Sequence, residues 1–118
     1  IRVNCLAPTG ATRMMEGLLP PEAMALLSPE RVSPALLALV ADDAPTRTIL
    51  CAGAGSVEAA HISLTQGIHL GDGHGDAEAI LTRLAEVTDR LGDTLPREAF
   101  DQSRLELEKA GYRPAEPN

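Results

Sequence analysis

The chain opens with Ile1-Arg2-Val3-Asn4-Cys5-Leu6-Ala7. Ile1, Val3 and Cys5 share one side of an extended backbone, and Leu6 and Ala7 make its end apolar on both faces. This pattern predicts a strand over residues 1–7 buried within a sheet. Pro8 is expected to stop it, because proline brings no N–H to a ladder. A loop of small residues follows, Thr9-Gly10-Ala11-Thr12. Residues 13–27 carry Met14, Met15, Leu18 and Leu19 ahead of Pro20-Pro21, then Met24, Leu26 and Leu27. Two short helical turns around a kink are expected there, since proline blocks helix continuation. Flexible Met and Leu side chains on such a segment suit a lid over an apolar ligand, or ordinary core.

Ser28-Pro29-Glu30 is a helix-start pattern: Ser can cap, Pro fits the first position and Glu complements the dipole. It predicts a helix over 29–42 that stops at Asp42-Asp43, with Pro34 bending its first turns. Leu36, Leu37, Leu39 and Val40 cover more than one narrow stripe. They suit a helix buried on two sides, at a subunit interface or in a deep monomer core. Residues 48–52 predict a second buried strand, followed by a Gly53–Ser56 loop. Val57 to Leu64 and Ile68 to Leu70 read as extended segments, with a hairpin around Gln66-Gly67. From Gly71 the composition shifts. Residues 71–75 read as a linker, 76–111 as a helical extension and 112–118 as a disordered tail. Within the extension, Asp76 is expected to cap a helix over about 77–91, with Ile80, Leu84, Val87 and Leu91 as its apolar stripe and Gly92 at its end. Pro96 is expected to open a last helix through Ala110.

The 118 residues carry a formal charge of −7, with 44 % hydrophobic and 23 % charged residues. These values fit one globular domain, or part of one. The acidic balance argues against a nucleic-acid partner and against an anionic membrane surface. The apolar run Ala35 to Ala41 is far shorter than the roughly 20 residues that span a bilayer. The first residue is Ile, inside an apolar run, which reads as the C-terminal piece of a longer protein. Phe100 and Tyr112 are the two aromatic residues, so the core is expected to consist of aliphatic side chains and Met. Cys5 and Cys51 are expected as buried, reduced thiols of a cytoplasmic protein.

Few residues suggest chemistry. Gly53-x-Gly55 falls short of a dinucleotide fingerprint, because Glu58 stands where the third glycine belongs and no helical pattern follows. Asp72, His74 and Asp76 on a Gly-rich stretch define no metal geometry and read as a solvated linker with a helix cap. His61 and His69 have no nucleophile at a supporting spacing, and Cys5 lacks the helix N-terminus that would activate it. No metal and no catalytic residue is assigned. The best candidate is Pro8 to Thr12: if the strand before it is parallel and central, this loop occupies the carboxyl end of the sheet, where open α/β folds bind ligands.

Ile1-Arg2-Val3-Asn4 and Ala7-Pro8 resemble the strand that follows the catalytic Tyr-x-x-x-Lys segment in the short-chain dehydrogenase/reductase family. Thr12-Arg13-Met14, Leu19-Pro20, Pro29-Glu30-x-Val32-x-Pro34 and Gly53-Ala54-Gly55 resemble one branch of it. That branch includes bacterial relatives of the hydroxyacyl-CoA dehydrogenase domain of peroxisomal multifunctional enzymes. The resemblance implies an α/β fold: the C-terminal part of a doubly wound parallel-sheet, Rossmann-type domain (1–70), followed by a small helical extension. It implies an NAD or NADP cofactor touched by Pro8, Thr9, Gly10, Ala11 and Thr12. It implies a small-molecule substrate under a lid that includes Met14, Met15, Leu18 and Leu19. Helix 29–42 and strand 48–52 resemble a pair that packs across a subunit dyad, implying a homodimer or homotetramer. Thr9 replaces the family's usual Gly after Pro, and the spacing from Pro8 to Thr12 is one shorter than the common form. The family's Gly-rich cofactor loop and its Tyr-x-x-x-Lys pair are absent, since the single tyrosine, Tyr112, follows the single lysine, Lys109. The reading that results is the C-terminal part of an NAD(P)-dependent oxidoreductase, inactive as this chain alone. The alternative is a non-catalytic binding or oligomerisation module of the same fold.

Overall fold

The computed structural model describes residues 1–71 and 77–115. The chain divides into two compact units, residues 1–61 and 62–118. The linker expected at 71–75 lies beyond the described residues from position 72 onward, as do Asp72, His74 and Asp76.

The first unit is an α/β arrangement around a three-stranded mixed sheet. Strands β1 (Cys5–Thr9), β2 (Ile49–Gly53) and β3 (Ser56–Ala60) lie in the order β1-β2-β3. β1 pairs parallel to β2, from Cys5 opposite Ile49 to Thr9 opposite Gly53, and β3 pairs antiparallel to β2. A parallel pair needs a long crossover. Here it holds 3-10 turns at Arg13–Met15 and Pro29–Arg31 and helices α1 (Pro21–Leu26) and α2 (Ser33–Val40).

The first strand is displaced from its expected position, and Pro8 lies inside it. The cause is the alternation of a parallel ladder. Cys5 N–H donates to Thr48 O at 2.9 Å. Odd-numbered backbone groups therefore face β2, and those of Leu6 and Pro8 face the opposite edge. Proline's missing donor costs the β1–β2 ladder nothing. Before Cys5, side chains take over the pairing. Asn4 Nδ2 donates to Pro45 O (2.8 Å) while Asn4 Oδ1 accepts from Thr48 N–H (3.0 Å). Val3 N–H donates to Thr46 Oγ1 (3.1 Å), and Arg47 N–H to Val3 O (2.8 Å). Arg2 Nη1 reaches Ala41 O (3.2 Å) and Asp42 O (2.6 Å), just past the end of α2. The Arg2-x-Asn4 pattern thus fastens the connection between α2 and β2.

The expected helix over 29–42 is a separate 3-10 turn and the shorter α2. Ser28 does not cap; its hydroxyl donates to the Glu30 carboxylate instead. Pro34 stands in the first turn of α2 and opens it rather than bending it. Ala35 and Leu39, one turn apart on one face, are buried, as is Ala52 on β2. Leu36, Leu37 and Val40 stay exposed (50, 66 and 69 %), so burial of α2 on two sides does not occur within this chain. Cys5 is exposed and Cys51 half-buried, both free; the expectation of two buried thiols fails because no described residue covers that face of β1. The hairpin forms at Ala54-Gly55, not at Gln66-Gly67. Ala54 (φ 53°) and Gly55 (φ 82°) both adopt the left-handed region, as a two-residue turn between twisted strands requires.

In the second unit, α3 (Ala77–Thr82) and α4 (Leu84–Val87) replace the single helix expected over 77–91. Thr82 Oγ1 and Thr88 Oγ1 donate to the carbonyls four residues back, Glu78 O and Leu84 O, each at 2.9 Å. Such back-bonding bends helices, and Arg83 breaks this one. The last helix, α5 (Asp101–Lys109), starts later than Pro96 suggests. The Asp101 carboxylate accepts from Arg97 N–H (2.7 Å) and Glu98 N–H (3.3 Å), holding the preceding residues in a turn. α5 ends at Gly111 (φ 92°), with Tyr112 N–H on Leu107 O and Gly111 N–H on Glu108 O, the reciprocal pattern of a glycine C-cap. Segment 64–68 is fastened by the paired Leu64 and Thr94 backbones, by Thr65 Oγ1 on Val87 O (2.6 Å), by Gln66 Nε2 on Gly92 O (2.8 Å) and by Lys109 Nζ on Gln66 O (2.7 Å).

Candidate functional site

The candidate site lies at the carboxyl end of the parallel pair β1–β2. Pro8 and Thr9 complete β1, and Gly10 and Ala11 carry the chain off the sheet. Thr12, extended at φ −126°, leads into the 3-10 turn at Arg13–Met15. Pro8, Gly10 and Thr12 line a cleft of about 340 Å³ together with Pro29 and Val32. That volume falls at the small end of ligand pockets, roughly 300–1,000 Å³. Gly10 keeps the wall open: a Cβ placed there would meet Pro29 at 3.7 Å, in ordinary contact.

Thr9 and Ala11 do not line the cleft. Thr9 faces Gly53 across the ladder. Ala11 N–H donates to Leu27 O at 2.6 Å, which ties the loop to the end of the 13–27 segment. That segment has the expected two turns, with Pro20 before α1 and Pro21 at its start. Met14 and Leu18 stand out in solvent, Leu19 is exposed, and Met15 is half-buried. None of the four touches the cleft, which is closed on its far side by Pro29 and Val32 instead. These two were legible only as a helix start. The signal for their position was Ser28-Pro29, which leads into a 3-10 turn on the return from the 13–27 segment.

Charge near the cleft is modest. The Ser28 hydroxyl, with a backbone hydrogen bond at Glu30, holds the Glu30 carboxyl below its ordinary range. Arg31 Nη1 reaches Ala54 O at 3.5 Å, beside the β2–β3 turn. Lys109 and Tyr112 form no acid–base pair. The lysine Nζ is occupied by Gln66 O and Ile68 O, and the exposed tyrosine follows the C-cap of α5.

No family model matches the chain. Over 93 residues it is 33 % identical to a protein of Mycobacterium tuberculosis (strain ATCC 25618 / H37Rv) whose name places it among the short-chain type dehydrogenases/reductases. The chain is related to the short-chain dehydrogenase/reductase family. The aligned stretch is 78 % of this chain and 32 % of the curated relative, so the chain spans about a third of that protein's length. The full-length peroxisomal multifunctional enzyme type 2 of Drosophila melanogaster shares the fold. Its TM-score is 0.74 at 21 % identity, over 92 % of this chain and 20 % of that one. The parallel β1–β2 pair with its helical crossover is thus part of a Rossmann-type sheet, as the short-chain dehydrogenase/reductase resemblance implied. Among the described residues no helix is long and apolar enough to cross a membrane.

Proposed function

We propose that this chain forms the C-terminal part of a cytoplasmic NAD(P)-dependent short-chain oxidoreductase. It supplies one wall of the nicotinamide pocket, the substrate lid and part of an oligomer interface. The observation that carries the reading is the Pro8-Gly10-Thr12 cleft, at the carboxyl end of a parallel pair in a sheet of this family. Small residues let a cofactor approach the backbone, and the Thr12 hydroxyl offers a hydrogen bond. When bound, the nicotinamide accepts or gives the hydride. The residues here bind and orient it, while the catalytic Tyr and Lys of the family belong to a part that these 118 residues do not include.

The lid's few charges, Arg13, Glu16 and Glu22, favour an apolar or acyl-type substrate. Exposed Leu36, Leu37 and Val40 on α2 support a homodimer or homotetramer, since an aliphatic stripe of this kind is ordinarily covered. Calorimetric titration of the polypeptide made from its native gene with NAD⁺ and NADP⁺ tests the reading. One of the two should bind, Gly10→Ala should leave affinity within about threefold, and Gly10→Leu should fill the cleft and abolish binding. Absence of binding by either nucleotide would put the non-catalytic module in its place.

A further inference from the structure

Thr9 stands where the family's glycine does, and Gly53 stands opposite it in the β1–β2 register. A Cβ built on Gly53 would lie 2.9 Å from Thr9 Cβ and 3.0 Å from Thr9 O. Both are closer than side-chain carbons approach such atoms, and neither is the end of a flexible chain. One is a branched carbon whose rotamers are few, and the other is backbone. The φ of Gly53 is not in the left-handed region, so space alone, not backbone conformation, demands glycine there. The pair occupies the last rung of β1, directly before Gly10 and the Ala11–Leu27 hydrogen bond.

We infer that Thr9 and Gly53 are a size-matched pair, and that Gly53 is a positioning residue: by making room for Thr9 it sets where the Pro8–Thr12 loop leaves the sheet. The consequence for cofactor binding rests on the function proposed above. A side chain at Gly53 pushes Thr9 outward, and the displacement passes into Gly10 and Thr12. Binding geometries tolerate only about 0.5 Å of such movement. The same logic makes the replacement of the family's glycine by Thr9 conditional on Gly53.

A double-mutant cycle of Gly53→Ala and Thr9→Gly tests this in the polypeptide made from its native gene, with nicotinamide-cofactor Kd and urea midpoint both measured. Gly53→Ala should weaken binding by about fivefold or more and lower the midpoint; adding Thr9→Gly removes the 2.9 Å contact but leaves the residue-9 carbonyl at 3.0 Å, so it should recover most of both losses. Gly53→Ala that is insoluble alone but folded in the double variant also supports the pair. Unchanged affinity in a folded Gly53→Ala variant, or effects that merely add, would overturn it. If the wild-type protein binds no nicotinamide cofactor, the functional reading fails. The midpoints still decide the pair, with rescue supporting it and additivity refuting it.

Discussion

Asn4 makes the sharpest energetic test of how the first unit is joined. Its amide imitates a backbone rung, giving one hydrogen bond to Pro45 O and taking another from the part-buried Thr48 N–H. Asn4→Ala removes both, at about 1 kcal/mol each, and leaves Thr48 N–H without its partner at a cost of roughly 1 kcal/mol more. The expected loss is about 2–3 kcal/mol. Thr46→Ala removes the exposed hydrogen bond from Val3 N–H and should cost about 0.5–1 kcal/mol, because water replaces the hydroxyl. Urea unfolding followed by far-UV circular dichroism separates the two. With a slope of about 1–3 kcal/mol per molar urea, Asn4→Ala should move the midpoint by about 1 M or more. A Thr46→Ala effect equal to that of Asn4→Ala, or an Asn4→Ala loss under about 1 kcal/mol, would refute the claim that Asn4 replaces a ladder rung.

Ala54 holds a left-handed φ of 53°, where a Cβ is unfavourable. Ala54→Asn should stabilise by about 0.5–1 kcal/mol in the same urea assay, and a loss would contradict the turn assignment. The Asp101 carboxyl lies below its ordinary range, chiefly through Arg97 N–H, with further help from Glu98 N–H and Arg104. A depressed folded pKa gives stability that is present above the ordinary carboxylate range and is lost as pH falls through the folded value. Helical signal should therefore fall on acidification by less in Asp101→Ala than in wild type, and identical pH profiles would exclude this role. Leu37→Asp should lower the oligomeric order seen in sedimentation while leaving the monomer fold intact, whereas an unchanged sedimentation coefficient would remove α2 from the interface.

Much of the first unit was readable because buried parallel strands leave dense apolar runs, as in Thr48 to Ala52. The short motif around Arg2, Asn4 and Pro8 further narrowed the family. The position of β1 was not readable, since which backbone edge meets β2 depends on the partner, and Pro8 is harmless on one edge only. The two failures in helix length in the second unit share a cause. Thr82, Thr88 and Asp101 spend their side chains on nearby backbone, and a periodicity of apolar residues does not register that competition. The loop at 8–12 was legible from its place after a strand. Its closure by Pro29 and Val32 was not, because it depends on the return path from α1.

The sheet order also dictates how the unit assembles in time. β2 and β3 are joined by two residues, so their hairpin can close in about 1–10 μs. β1 must find β2 from the far side of the whole Arg13–Val40 crossover, a non-local closure that carries a larger entropic barrier. During synthesis β1 is made before the crossover, β2 after it, and β3 last of the three. The pairing of β1 with β2 must therefore wait until the crossover has been made. The acidic character of the chain and the solvated Asn4 and Arg2 near its start are well suited to keeping that waiting strand from pairing with a neighbour.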